Sequence, residues 1–355
     1  MLWFFLLALT PILAVPIANS VSGESIYSSD RAKRIYLTIC GTVLFLMIAL
    51  RSCELGSVDS QSYYNNWKLV RDMSLEGIRD FITLSDMESG YLMTVWLLSH
   101  VFYDPQFLFV LTGLLFSFSV CRFIYLNSKD AMISMLMYIC LGTYIFMVQG
   151  LRQAIAMSIC LLAVESIKKR RLIRFALAIC IAFMYHRTVV VFALLYFLFG
   201  TEFSRKTKIA MPAVMAMLLA LTPVFVRFGN ELIDGEYTDV AGGGALIATA
   251  IYAIIIAVAY LFLDNRNTDK NDTFFIWMTL VGASFYLMRY LGTQIMDRIS
   301  FYFLMGQTIA LPCVISKFDR RSRRVINLIV CILCILLFFY RLNSSYGLEY
   351  KFFWQ

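Results

Sequence analysis

Charge is scarce in this sequence. Only 15% of its 355 residues are charged, 60% are apolar, and the mean hydropathy is +0.74. A soluble domain carries about 25% charged residues, so a soluble fold of this length is excluded. The chain reads as an all-α integral membrane protein. Histidine is scarcer still, with two in the whole chain. No Asp-x-Asp pair and no ligand cluster is present, so no cofactor is expected, although the loop carboxylates leave a divalent metal open. A basic leader is missing too, and LWFFLLALTPILAVP therefore reads as a first span rather than a cleaved signal. No internal repeat is visible, which argues against the inverted-repeat transporters.

The nine cysteines are odd in number and most lie in apolar runs, among them Cys140, Cys160, Cys180, Cys331 and Cys334. They read as small buried hydrophobes, with no disulfide framework or zinc site. The net charge of +8 belongs to short basic loops of the kind that stay on the cytoplasmic side. Nucleic acid is not an expected partner, and membrane lipids are.

Positive charge orders the topology. Arg31, Lys33 and Arg34 fall between apolar runs at 2–18 and 34–50, which places that loop inside and Arg51 outside. Residues 51–104 then form a polar extracytoplasmic loop. Its end, GYLMTVWLLSHVF, is too short for a span and is expected to be interfacial or re-entrant. Further spans are expected at 105–126, 131–149, 152–167, 172–185, 188–200, 207–227, 245–263, 273–290, 296–316 and 325–341. Lys129, Lys168–Arg174, Arg205–Lys208, Arg266–Lys270 and Lys317–Arg324 then alternate to the inside. The result is one integral domain over 1–355 with about 12 spans (roughly 10 to 13) and both ends outside.

The stretch from Gln149 to Arg187 organises the chain. Two apolar legs of about 20 to 25 Å flank Lys168-Lys169-Arg170-Arg171, so the second leg returns to the depth where the first began. Arg152 and His186 are expected to meet at the outer face. The same face collects Arg51, Asp59, Glu88, Gln153, Arg187, Arg289, Asp297 and Arg298. Few arginines are expected on that side, and ionisable groups at membrane depth point to function. The guanidinium fork suits phosphate oxygens, so the arginines suggest a pyrophosphate held at the membrane surface, as a lipid-linked sugar donor presents it.

Blander readings exist for several of these residues. Arg51 would suit an interfacial snorkelling residue, and Arg298 a partner for Asp297. Gln149 and Gln153 flank Arg152 and would line one pocket with it. His186 suits general-base work on a hydroxyl, as does Asp59, and Glu88 could position a sugar. His100 reads as structural, and Gly242–Gly244 as loop. Asp72, Glu76 and Asp80 read as the solvated face of an amphipathic helix.

These residues carry a resemblance. Arg51, Gly56, Asp59 and Tyr63, then Glu88-Ser89-Gly90-Tyr91, then Leu151-Arg152-Gln153-Ala154-Ile155-Ala156, then Ala182 and His186, resemble the EpsG family of bacterial exopolysaccharide biosynthesis proteins. Order and spacing match over residues 40–200, and Arg298, Ser300 and Tyr302 are similar to the family's later motif. Cys53-Glu54 beside Gly56 departs from it.

The resemblance implies a Wzy-like polymerase, with an architecture like that of the membrane-embedded C-type glycosyltransferases and a site facing out of the cytoplasmic membrane. Its substrates would be undecaprenyl-pyrophosphate-linked oligosaccharide repeat units for exopolysaccharide, capsule or O-antigen. A chain-length regulator and other assembly proteins would be its partners. On that reading His186, Asp59 and Arg152 are catalytic, and Arg51, Glu88, Gln153, Arg187, Arg289 and Arg298 bind substrate. A flippase or exporter of lipid-linked oligosaccharide, or an O-antigen-type ligase, is the alternative. An acyltransferase ranks last, because His186 is shallow.

Overall fold

The computed structural model describes residues 2–53, 58–225, 227, 245–263, 268–289, 295–345 and 350–355. Helices dominate this part of the chain, and the only β pairing among the described residues is an isolated bridge between Arg51 and Phe352. Helices α1 (Leu2–Ser22) and α2 (Asp30–Ala49) form an opening hairpin. The loop after α2 carries α3 (Val58–Arg71), α4 (Leu75–Leu84) and α5 (Ser89–Val101). Next come α6 (Gln106–Asn127), α7 (Ala131–Cys140), α8 (Thr143–Gln149), α9 (Leu151–Lys168) and α10 (Leu172–Phe183).

A 3-10 turn at Arg187–Ala193 runs into α11 (Leu194–Leu198), and α12 spans Arg205–Ala220. The last elements are α13 (Ala245–Phe262), α14 (Lys270–Met288), α15 (Ile295–Leu304), α16 (Gln307–Ile315) and α17 (Arg320–Ser345). Nearly every described residue of α7 and α14 is buried, and so are most of those of α9, so these three form the centre of the bundle.

The apolar runs do not all become long helices. Four described helices are long and apolar enough to cross a membrane: Leu2–Ser22, Asp30–Ala49, Gln106–Asn127 and Arg320–Leu342. Two further runs, each expected as one span, are bent pairs: Ala131–Cys140 with Thr143–Gln149 at 52°, and Met296–Leu304 with Gln307–Ile315 at 44°. Counting each pair as one span brings the total to six among the described residues. Leu172–Phe183, Arg187–Leu198 and Ala250–Leu261 are apolar but shorter. The chain is therefore a helical, polytopic type of membrane protein.

Gly142 explains the first bend. Its φ of +93° is left-handed, which costs a residue with a Cβ about 1–2 kcal/mol, and the Arg341 guanidinium fills the space where a Cβ would stand. Arg341 also donates to the carbonyl of Leu141, which the bend frees from helical pairing.

The bundle has two chemically distinct ends. At one, Lys33 donates to the carbonyls of Tyr125 and Ser128, both at 2.9 Å, and Lys168 reaches Asn127 at 2.8 Å. Asp272 accepts Lys129 at 2.5 Å and Lys317 at 3.6 Å, and Asn327 reaches Asp130 at 3.1 Å. Four of the basic loops expected to share one side thus converge on it. At the other end Gln106 donates to the carbonyl of Ala49 at 2.7 Å, and Ser52 N–H to that of Lys351 at 2.9 Å. Trp3 stacks edge-on against Phe352 with centroids 5.0 Å apart, so the two ends of the described chain share this side.

Candidate active site

Glu88 stands at the N-cap of α5, where a carboxylate usually accepts from its own helix; here its side chain makes no such bond. It turns instead toward two other elements. Oε1 lies 3.0 Å from Nδ1 of His186 and 3.4 Å from the backbone N–H of Arg187. Oε2 accepts Nη1 of Arg152 in a salt bridge. One carboxylate therefore joins the helix of the outer loop, the start of α9 and the turn after α10.

The docking of α5 makes this junction possible. Gly90 N–H donates to the carbonyl of Met184 at 2.9 Å, and the Thr94 and Tyr185 hydroxyls meet at 2.9 Å. A Cβ on Gly90 would stand 2.5 Å from Cβ of Met184 and 2.7 Å from its carbonyl oxygen, so only glycine allows this approach. His186 is held from behind by its own N–H, which donates to the carbonyl of Ala182 at 3.0 Å. Thr188, two residues on, donates to the Tyr302 hydroxyl at 3.4 Å.

Arg152 lies in the first turn of α9, beside Gly150, which separates α8 from α9. A cation there adds to the positive end of the helix, an arrangement that favours an anion in front of it. Tyr63 lies beside the Arg152 guanidinium. The next residue, Gln153, is buried and donates through Nε2 to the carbonyl of Arg298, which ties α9 to α15. Arg298 in turn lies within electrostatic reach of His186.

Charge in this group is strongly ordered. Burial alone would raise the Glu88 carboxyl, but the bond from His186 and the charge of Arg152 outweigh it and hold it down at about 2. Burial pushes the His186 imidazole below its ordinary value, against the pull of Glu88. At neutral pH the group is thus an ionised carboxylate between a guanidinium and a neutral imidazole. Nε2 of His186 is buried and has no hydrogen-bond partner among the described residues.

The expected meeting of Arg152 and His186 at one end of the α9–α10 hairpin is present, and Glu88, Gln153, Arg187 and Arg298 gather around it. Two further expected residues are held by other partners. Arg51 is fully buried, donating to the Ser60 hydroxyl at 3.2 Å and lying 4.3 Å from the centroid of Phe109. The interfacial reading of Arg51 is therefore overturned. Arg289 bonds Asp297 at 2.7 Å, and Arg298 lies within electrostatic reach of the same carboxylate. Gln149 ends α8, across Gly150 from the helix of Arg152. The Asp59 side chain and Gly242–Gly244 lie outside the described residues.

Tyr63 and Gly90 stand in the sequence only as members of the family motifs, with no site role of their own. Tyr63 follows Asp59 at i+4, a spacing that sets both on one face of α3 and could have pointed to it. Nothing local marks Gly90 as a contact with Met184.

No curated protein and no solved structure matches the chain. The family model of the EpsG family matches residues 34–354, so the chain belongs to the EpsG family, a Wzy-like polymerase family of membrane proteins.

Proposed function

We propose that this protein polymerises undecaprenyl-pyrophosphate-linked oligosaccharide repeat units at the outer face of the bacterial cytoplasmic membrane. The convergence of Arg152 and His186 on the two oxygens of Glu88 is the observation that supports it, since it sets a cation and a bare ring nitrogen side by side. The acceptor is a new lipid-linked unit, whose non-reducing sugar offers a hydroxyl. His186 Nε2 takes that proton as the oxygen bonds the anomeric carbon of the growing chain. The bond from that carbon to the pyrophosphate breaks, and its electron pair leaves on undecaprenyl pyrophosphate. Arg152 and Arg298 stabilise the charge that develops there. Direct displacement inverts the anomeric configuration.

Asp59 is the other candidate base, and Arg187, Gln153, Arg289 and Arg51 complete the proposed substrate contacts or their support. The architecture is read as similar to the membrane-embedded C-type glycosyltransferases, with the three shorter apolar helices and α9, α12 and α14 completing about 12 spans around the site. Chain-length regulators and other assembly proteins are proposed partners.

The purified chain in proteoliposomes, supplied with lipid-linked repeat units, tests this reading. A ladder of longer lipid-linked glycans with release of undecaprenyl pyrophosphate is expected. Movement of single units between leaflets with no ladder would replace the polymerase by a flippase. The gathering of these groups at one end of the bundle, not through its depth, favours chemistry over passage.

A further inference from the structure

The geometry assigns a role to Glu88 that deepens the proposed polymerase reading and rests on it. An ionised carboxylate only accepts hydrogen bonds, so the ring nitrogen 3.0 Å from Oε1 must carry the proton. A neutral imidazole has one N–H, and that leaves Nε2 as a bare acceptor. Nothing in the described protein occupies Nε2. We propose that Glu88 is a positioning residue that fixes His186 with its proton on Nδ1 and aims Nε2 at the acceptor hydroxyl.

The surroundings hold this arrangement in place. His186 faces Glu88 from the start of α5, Arg152 from α9 and Arg298 from α15, with Tyr302 beyond Thr188. Two cations disfavour a third on the ring, and the single carboxylate orients the neutral form. Because Oε2 is held by Arg152, Oε1 stays toward the ring. The backbone N–H of Arg187 completes the hold on Oε1.

Nitrogen NMR of the full chain in nanodiscs, with ¹⁵N-labelled histidine, reads the tautomer directly. A His100→Gln background leaves His186 as the single histidine signal. The expected spectrum at neutral pH shows a protonated Nδ1 and a bare Nε2. Glu88→Ala should move the proton to Nε2, whereas Glu88→Gln should keep it on Nδ1, because the amide oxygen still accepts. A proton on Nε2 in the otherwise native chain would overturn the proposal even if neither variant folds. An unchanged tautomer in a folded Glu88→Ala protein would overturn it as well.

The rate profile is the second readout. The carboxylate favours the imidazolium, so Glu88→Gln should shift the acidic limb of kcat to lower pH and lower its plateau by tenfold or more. A loss of rate with an unmoved limb would mean a structural role alone and would overturn the proposal. The expected tautomer in a chain that extends no glycan would instead sink the polymerase reading and leave the positioning of His186 standing.

Discussion

Glu88 answers to two partners, so the loss of either is felt through the other. Arg152→Ala leaves a buried carboxylate supported by His186 and one backbone N–H, and a buried charge that loses a partner is costly. The variant should reach the membrane, melt at a lower temperature and extend no glycan; near-normal polymer would remove Arg152 from the mechanism. A double-mutant cycle over Glu88→Gln and Arg152→Ala should return a coupling of about 0.5–3 kcal/mol in thermal stability.

The same carboxylate sets a pH dependence. Its folded value of about 2 lies below the roughly 4.3 of an unfolded chain, so its contribution to stability is complete above pH 4.3 and is lost as pH falls toward 2. Wild type should hold its melting-temperature advantage over Glu88→Gln at neutral pH and lose it across that acid window. The meeting of Arg152 and His186 at one end of the bundle was legible in the sequence, because a helical hairpin returns the chain toward the depth where it began. Glu88 stood out only as a loop carboxylate. It lies 64 residues from Arg152 and 98 from His186, and no local period reports a contact over such separations.

Among the elements, α5 decides whether the site exists. Its sequence reads as a short apolar helix, which it is, but the way it docks depends on Gly90 meeting Met184. Gly90→Ala should push α5 outward by several tenths of an ångström and part Glu88 from His186. Chain extension should fall by tenfold or more with insertion intact, and a fully active Gly90→Ala protein would show that the contact yields without harm. Span lengths were the least legible feature. Hydropathy sees an unbroken apolar run at 131–149, whereas Gly142 and the cation of Arg341 bend it by 52°. A bend of this kind arises from one residue's φ and a side chain 199 positions away, neither of which a hydropathy window contains.

Across the whole molecule, the positive-inside reading anticipated a physical sorting. Lys33, Lys129, Lys168 and Lys317 tie their loops together at one end, and the Glu88 group with the Arg51–Phe352 bridge lies at the other. In a cysteine-free background, Asp86→Cys should react with a membrane-impermeant thiol reagent on intact cells. Lys169→Cys should react only after permeabilisation. The reverse pattern would turn the site toward the cytoplasm, where outward-facing polymerisation cannot occur.

The central claim is chain extension at the Glu88 group, and lipid-linked glycans are its direct record. These should be extracted and sized from cells lacking the protein and from the same cells carrying Arg152→Ala. The account predicts single repeat units accumulating on the outer leaflet with no long polymer in either strain. Long polymer still bound to its lipid carrier, or single units confined to the inner leaflet, would contradict it.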